Sequence, residues 1–176
     1  MTLEQLKQVL QAAYELTKEN DFYVIGSAAI LQVFNSPGHV YLSRSNEADL
    51  IAFSGDPDIA DLLSVMIGEL SPFHARHDVY ADGVTFDTPE FAPKGWQDQA
   101  VVVHYKEIGV TARFMELHDL TLSKLGAGRP KDMEFCEALI ATGYLNQDIL
   151  RERLLKVDCA EAKRCQIESS IGRYFP

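Results

Sequence analysis

Two carboxylates spaced by one residue are the first candidates for chemistry in this chain. Glu47 and Asp49 begin the segment 47–53, which reads EADLIAF and has the length and apolar content of a β-strand. Because side chains alternate between the two faces of a strand, the two acids point the same way and lie about 7 Å apart. Their face also carries Ile51 and Phe53, and acids on an apolar face are costly unless they are paired or bind a metal. The pair therefore predicts a site for a divalent cation.

A glycine–serine step lies about twenty residues before this pair. Gly26 and Ser27 follow the apolar segment 22–25 and precede a segment without helix breakers at 28–34, so we expect a strand, a tight turn and a short buried helix. The N-terminus of such a helix offers free backbone N–H groups to a phosphate. A metal beside a phosphate cradle is what the transfer of a nucleotidyl or phosphoryl group requires.

Several elements must position these residues. Hydrophobic periodicity and capping signals predict helices over residues 3–18, 28–34, 57–70, 119–125, 130–142, 146–155 and 158–171. Alternation and turn chemistry predict strands at 22–25, 47–53, 77–82, 100–105 and 110–117, and a short edge strand at 40–42. The long connection 83–99 is typical of a functional loop or lid.

The order of these elements predicts an α/β (α+β) fold, with a small mixed β-sheet, packed helices and a C-terminal helical segment. We expect an α/β core over residues 1–117 and a helical segment over 118–176 that packs on it, because the mixed pattern gives way to helices near His118.

Charge and cysteine content exclude several classes of function. The chain has 16 basic and 26 acidic residues and a net charge of −10, which argues against an extended nucleic-acid surface. Its three cysteines have no metal-site spacing and indicate reduced thiols in a cytoplasmic protein. The N-terminus does not read as a signal peptide, and no apolar run approaches the roughly 20 residues that span a bilayer, so we expect no membrane association.

The spacing of these motifs resembles that of a known superfamily. A glycine–serine step at a strand end followed by a carboxylate pair is similar to the nucleotidyltransferases of the DNA polymerase beta superfamily. Segments 118–125 (HDLTLSKL) and 128–132 (GRPKD) resemble the second motif of its AbiEii-toxin-like branch, in which a helical lysine precedes a basic residue and Lys-Asp. The segment 93–96 (PKGW) resembles a small, uncharacterised nucleotidyltransferase-like family of that branch. The resemblance covers residues 20 to 140 and implies a nucleotidyltransferase-like fold.

The resemblance also implies roles for the first motif. Gly26 and Ser27 would hold the triphosphate of a nucleotide, and Glu47 and Asp49 would bind Mg²⁺ or Mn²⁺. The family often has aspartate where this chain has Glu47, whose longer side chain would shift the metal by about an ångström.

For the second motif, the resemblance implies contacts with phosphate groups. Lys124 and Lys131 would reach phosphates as catalytic residues, and Arg129 would join Lys124 in binding the nucleotide. Asp132 would orient one of these residues or help to activate the acceptor. Ordinary helix-terminus chemistry, with Pro130 at a helix start, is the alternative interpretation of this segment.

Enzymes of this kind usually have a third carboxylate on a neighbouring strand. The candidates are Asp78, Asp82 and Glu116. We expect Asp78 because it lies in the strand after the helix that follows the acid-bearing strand, where the resemblance places the third acid. The others stay open as alternatives.

The leading hypothesis is Mg²⁺-dependent transfer of a nucleotidyl group from an NTP to a protein, an RNA end or a small molecule. By resemblance, the protein would be a toxin with an antitoxin-like protein partner. One alternative is a catalytically inactive member that binds a nucleotide or a protein. Another is a metal-dependent nuclease or phosphohydrolase, which gives Gly26 and Ser27 no role.

Overall fold

The computed structural model describes residues 1–34 and 45–175. The edge strand predicted at 40–42 lies outside the described residues. The chain divides into two compact units, which we call the sheet unit (Met1–Thr88 and Ala100–Met115) and the helical unit (Pro89–Gln99 and Glu116–Pro176).

Strands of the sheet unit form one mixed five-stranded sheet with the order β3-β2-β1-β5-β4. They are β1 (Asp21–Ile25), β2 (Glu47–Ala52), β3 (Tyr80–Gly83), β4 (Val101–Tyr105) and β5 (Val110–Phe114). Strand β1 pairs with β2 antiparallel and with β5 parallel, β2 pairs with β3 parallel, and β4 and β5 form an antiparallel hairpin. The predicted α/β class and mixed sheet are confirmed.

One apolar core of the sheet unit lies between its helices and one face of the sheet. It joins buried residues of helix α1 (Leu3–Thr17) and helix α2 (Pro57–Ile67) to alternate strand residues such as Phe22, Leu50 and Phe114. The predicted capping box of α1 is confirmed, since Gln5 N donates to Thr2 Oγ1 and Thr2 N donates to Gln5 Oε1. Because alternate residues of β2 enter this core, Glu47 and Asp49 lie on the opposite face of the strand.

The predicted start of α2 is confirmed. The apolar stripe expected at Ile59, Leu62, Leu63, Met66, Ile67 and Leu70 is confirmed only in part, since Ile59, Leu63 and Ile67 pack in the core. Asp56 caps the helix and accepts a hydrogen bond from Asp58 N. The buried residues are Ala60, Leu63 and Ile67, whereas Leu62, Met66 and Leu70 are exposed. The helix ends at Ile67, so residues 68–70 no longer follow its period.

The strand predicted at 77–82 begins later in the structure than the sequence analysis expected. Ser71 caps a further helix, α3 (Pro72–His77), through a hydrogen bond from His74 N to its Oγ. Serine followed by proline is a helix-start signal, and the sequence analysis predicted no helix at this position. Strand β3 consequently begins at Tyr80.

The helix predicted at 28–34 is a 3-10 helix over Gly26–Gln32 that begins directly after β1. At seven residues it is longer than most 3-10 helices, which usually span about three or four residues. The glycine–serine step is therefore the first turn of the helix itself.

The helical unit contains α4 (Leu117–Ala127), α5 (Pro130–Ala141), α6 (Gln147–Leu154) and α7 (Glu161–Tyr174). Its core includes Leu122, Cys136, Leu150 and Ile167. The predicted break between α4 and α5 is confirmed at Gly128, whose φ is +66°.

Asp158 does not cap α7 as expected. Ala160 occupies the N-cap position, and Asp158 instead lies 2.9 Å from Lys94 Nζ. Within residues 1–34 and 45–175, the helices are too short or too polar to cross a membrane.

Candidate active site

Three carboxylates come together at the β2–β3 edge of the sheet unit. The parallel register places Glu47 beside Tyr80 and Asp49 beside Asp82. Glu47, Asp49 and Asp82 each offer one carboxylate oxygen, and these three oxygens lie within 4.8 Å of one another. Oxygens that share one Mg²⁺ lie at most roughly 4.2 Å apart, so a small closing movement would let all three bind one ion.

The glycine–serine turn lies against the same carboxylates. The antiparallel register of β1 and β2 pairs Ile25 with Asp49, and Gly26 follows with a φ of +60°. A Cβ atom at Gly26 would lie 1.8 Å from Asp49 Oδ2, so only glycine leaves room for this carboxylate. The turn and the acid pair, recognised separately in the sequence, occupy one place in the sheet unit.

The third acid of this cluster is Asp82, and Asp78 is not among its members. Asp78 is the C-cap of α3 in the left-handed conformation with a φ of +56°, and β3 begins at Tyr80, three residues later than expected. Ser64 of α2 donates a hydrogen bond of 2.9 Å to Asp82 Oδ1. The sequence analysis did not identify this serine as a site residue.

Tyr80 reports the electrostatics of the cluster. Burial raises the pKa of its phenol, and the negative charges of Glu47, Glu69, Asp82 and Asp49 raise that pKa further. Burial is the largest of these causes, and the others show that the acids place negative charge near the phenol, which a cation would offset. Hard oxygen ligands in such a field suit Mg²⁺ or Mn²⁺.

The helical unit brings together three residues of the second motif. Asp132 is 1% exposed and lies 3.3 Å from Lys124 Nζ and 2.5 Å from Arg129 Nε. Burial acts to raise the pKa of Asp132, but the hydrogen bond from Arg129 and the charge of Lys124 outweigh burial and lower it. Lys131 is exposed on α5. Asp132 thus holds Lys124 and Arg129 in a fixed arrangement.

Glu116, the remaining candidate for the third acid, belongs to the helical unit. It caps α4 by accepting a hydrogen bond of 2.8 Å from His118 N, and it also accepts one from Arg153. Despite its burial, the hydrogen bond and charge of His118, together with the charge of Arg153, lower the pKa of Glu116. These contacts are those of a helix cap and an ion pair.

A second buried acid lies beside Arg153. Burial raises the pKa of Asp119 to about 6, although Arg153 Nη1 lies 3.0 Å from Asp119 Oδ1 and acts to lower it. Among the described residues, neither oxygen of Asp119 receives a well-directed hydrogen bond. Asp119 and Arg153 line a cavity of about 260 Å³ together with Lys94 and Trp96. Trp96 itself is only 4% exposed, so it anchors the loop that carries it.

Comparison with known proteins agrees with this geometry. Residues 4–170 match a family described as "Nucleotidyltransferase of unknown function (DUF6036)". No curated protein and no solved structure matches the chain significantly. The match extends over nearly the whole chain and includes both motifs, and the protein therefore belongs to the DUF6036 family of nucleotidyltransferases of unknown function.

Proposed function

We propose that the protein transfers a nucleotidyl group from an NTP to an acceptor hydroxyl, with a divalent cation held by Glu47, Asp49 and Asp82. The observation that carries the proposal is the meeting of these three carboxylates with the Gly26 turn. The description of the family supports the same class of reaction. A nuclease or phosphohydrolase would need the acids alone and would give the close contact between Gly26 and Asp49 no role.

Each part of the sheet-unit site has a task in this proposal. The backbone N–H groups at the start of the 3-10 helix, with the Ser27 hydroxyl, bind the phosphates. A bound Mg²⁺ or Mn²⁺, which Glu47 and Asp49 would hold together with Asp82, would supply Lewis-acid stabilisation of the charge that develops on those phosphates. Asp82 accepts the proton of the acceptor hydroxyl, whose oxygen attacks the α-phosphate while pyrophosphate leaves.

The second motif adds a separate proposal for the helical unit taken by itself. By resemblance, Lys124, Lys131 and Arg129 would bind phosphate groups, since charged donors near a phosphate stabilise its negative charge. Asp132 keeps Lys124 and Arg129 in position and does not react itself.

The test is label transfer from each α-³²P-labelled NTP with Mg²⁺ or Mn²⁺, followed on the protein itself, on RNA and on small acceptors. We expect transfer by the wild type and at least a roughly 100-fold loss in Asp49→Asn, which keeps the side-chain shape but removes the charge. Asp61→Asn, which alters an exposed acid of α2, is the matched control and should retain activity. Nucleotide binding by the wild type without transfer would instead favour the inactive alternative.

The likeness of segments 118–125 and 128–132 to the AbiEii-toxin-like branch adds a cellular part to the proposal. A toxin would modify a protein or an RNA end that growth requires, and a protein partner would inhibit it. Expression of the wild type should then arrest growth, and expression of Asp49→Asn should not.

A further inference from the structure

Ser64 links helix α2 to the third acid of the candidate metal site. Its Oγ lies 2.9 Å from Asp82 Oδ1, 2.9 Å from Gly83 N and 3.2 Å from Gly83 O. Ser64 is half-buried, as is Asp82. The serine therefore contacts both the carboxylate and the backbone of β3 at the position where the strand presents its acid.

A close approach of the helix to the strand makes this contact. A Cβ atom at Gly83 would lie 2.0 Å from Ala60 O, so only glycine allows β3 to pass α2 at this distance. Ala60 and Ser64 are four residues apart and lie one above the other on the same face of the helix. The glycine thus brings the Ser64 hydroxyl within hydrogen-bond reach of β3.

The hydrogen bonds orient the hydroxyl group. Gly83 N donates to Ser64 Oγ and occupies one of its lone pairs. The hydroxyl hydrogen is then directed towards β3, where Asp82 Oδ1 at 2.9 Å is a closer acceptor than Gly83 O at 3.2 Å. An ionised carboxylate has about four acceptor sites, so Asp82 can accept this bond and still bind a cation.

We propose that Ser64 is a positioning residue of the metal site, which holds the Asp82 carboxylate in the orientation that it needs to share one ion with Glu47 and Asp49. This inference rests on the proposed function. Hydrogen bonds to metal-binding carboxylates typically contribute roughly 10- to 100-fold to metal affinity. In this proposal the serine affects metal binding through the Asp82 carboxylate and is not itself a ligand of the ion.

The experiment measures Mn²⁺ affinity from the electron paramagnetic resonance signal of the free ion. Four proteins are compared: wild type, Ser64→Ala, Asp82→Asn and the double variant. We expect Ser64→Ala to weaken Mn²⁺ binding roughly 10- to 100-fold. In the Asp82→Asn background, where no carboxylate remains to be oriented, the same substitution should have no further effect.

Two more variants distinguish positioning from folding. Ser64→Thr retains the hydroxyl and should bind Mn²⁺ within a few fold of the wild type. Ser64→Cys keeps the side-chain volume with a much weaker donor, and it should weaken binding even if Ser64→Ala does not fold. Urea denaturation without metal reports the stability of each variant separately.

Each outcome has a defined meaning. Two results would overturn the role of Ser64 and leave the proposed function intact. One is a wild-type Mn²⁺ affinity in Ser64→Ala. The other is an equal loss of Mn²⁺ affinity when Ser64→Ala is made in the wild type and in Asp82→Asn. A wild-type protein that does not bind Mn²⁺ would overturn the metal site, and with it both proposals.

Discussion

Replacement of Gly26 by alanine tests the candidate site most directly, because it acts on the turn and on the acid at once. Gly26 has a φ of +60°, a conformation that costs an L-residue about 1–2 kcal/mol. The new Cβ would also lie 1.8 Å from Asp49 Oδ2 and 3.0 Å from Asp49 Cγ. Since real Cβ contacts shorter than 3.0 Å essentially do not occur, the carboxylate oxygen has to withdraw by roughly 1.2 Å.

These two effects have different consequences. The backbone strain lowers the free energy of unfolding by about 1–2 kcal/mol. The displacement moves the Asp49 carboxylate relative to Glu47 and Asp82, with which it forms the group of three acids, and metal ligands must keep their distances to within about 0.2 Å. A shift of about 1 Å at a reacting centre costs roughly 100-fold in rate, so we expect nucleotidyl transfer to fall by about that factor.

Gly109→Ala is the matched control. Gly109 has a φ of +69°, and a Cβ there would meet nothing within 4 Å. It lies in the turn between β4 and β5, so the substitution adds similar strain in open space and leaves the carboxylates untouched.

The assays are urea denaturation and Mn²⁺ titration of the wild type and both variants. We expect similar losses of stability in the two variants and a loss of Mn²⁺ binding in Gly26→Ala alone. Wild-type Mn²⁺ affinity in Gly26→Ala would refute the contact between the turn and the Asp49 carboxylate. A loss of binding in Gly109→Ala would show that strain alone explains the effect.

Two further predictions concern buried acids of the helical unit. Because the pKa of Asp119 is about 6 in the folded protein against 3.8 ordinarily, its contribution to stability is complete below about pH 4 and lost as the pH rises through 6. The loss is on the order of 3 kcal/mol. Asp119→Asn lacks this titrating group, so its free energy of unfolding relative to that of the wild type should rise between pH 4.5 and 7.5 in urea titrations. Parallel pH profiles of the two proteins would contradict this. Asp132→Ala should lower the free energy of unfolding by about 3 kcal/mol, because it leaves Lys124, which is 11% exposed, without its carboxylate. Lys131→Ala, at an exposed neighbour, is the control and should stay within about 0.5 kcal/mol of the wild type in the same denaturation assay.

Local sequence signals were sufficient for much of the fold. The capping box at Thr2 and Gln5, the Asp56-Pro57 start of α2 and the break at Gly128 all follow from interactions between residues close together in the chain. Strand alternation likewise placed Glu47 and Asp49 on one face before any partner strand was known. Such features need no knowledge of what packs against them.

Which side chains are buried depends on packing between segments that are distant in the chain, and local sequence signals did not determine it. The buried side of α2 could not be identified from the sequence, because Leu62 and Leu63 are equally apolar. Packing in the core of the sheet unit buries Leu63 and leaves Leu62 exposed. The buried position of Asp132 between two basic side chains also depends on how α4 and α5 pack.

For the candidate site, the sequence by itself determined the glycine–serine turn, the acid pair and the class of chemistry, since each of these depends on residue type and a spacing of one or two positions. Only the tertiary structure decided that Asp82 completes the group and that Ser64 lies behind it. The physical reason is strand register: which acid lies beside Asp49 depends on how β3 aligns with β2, and this alignment is set by packing between segments that lie some thirty residues apart.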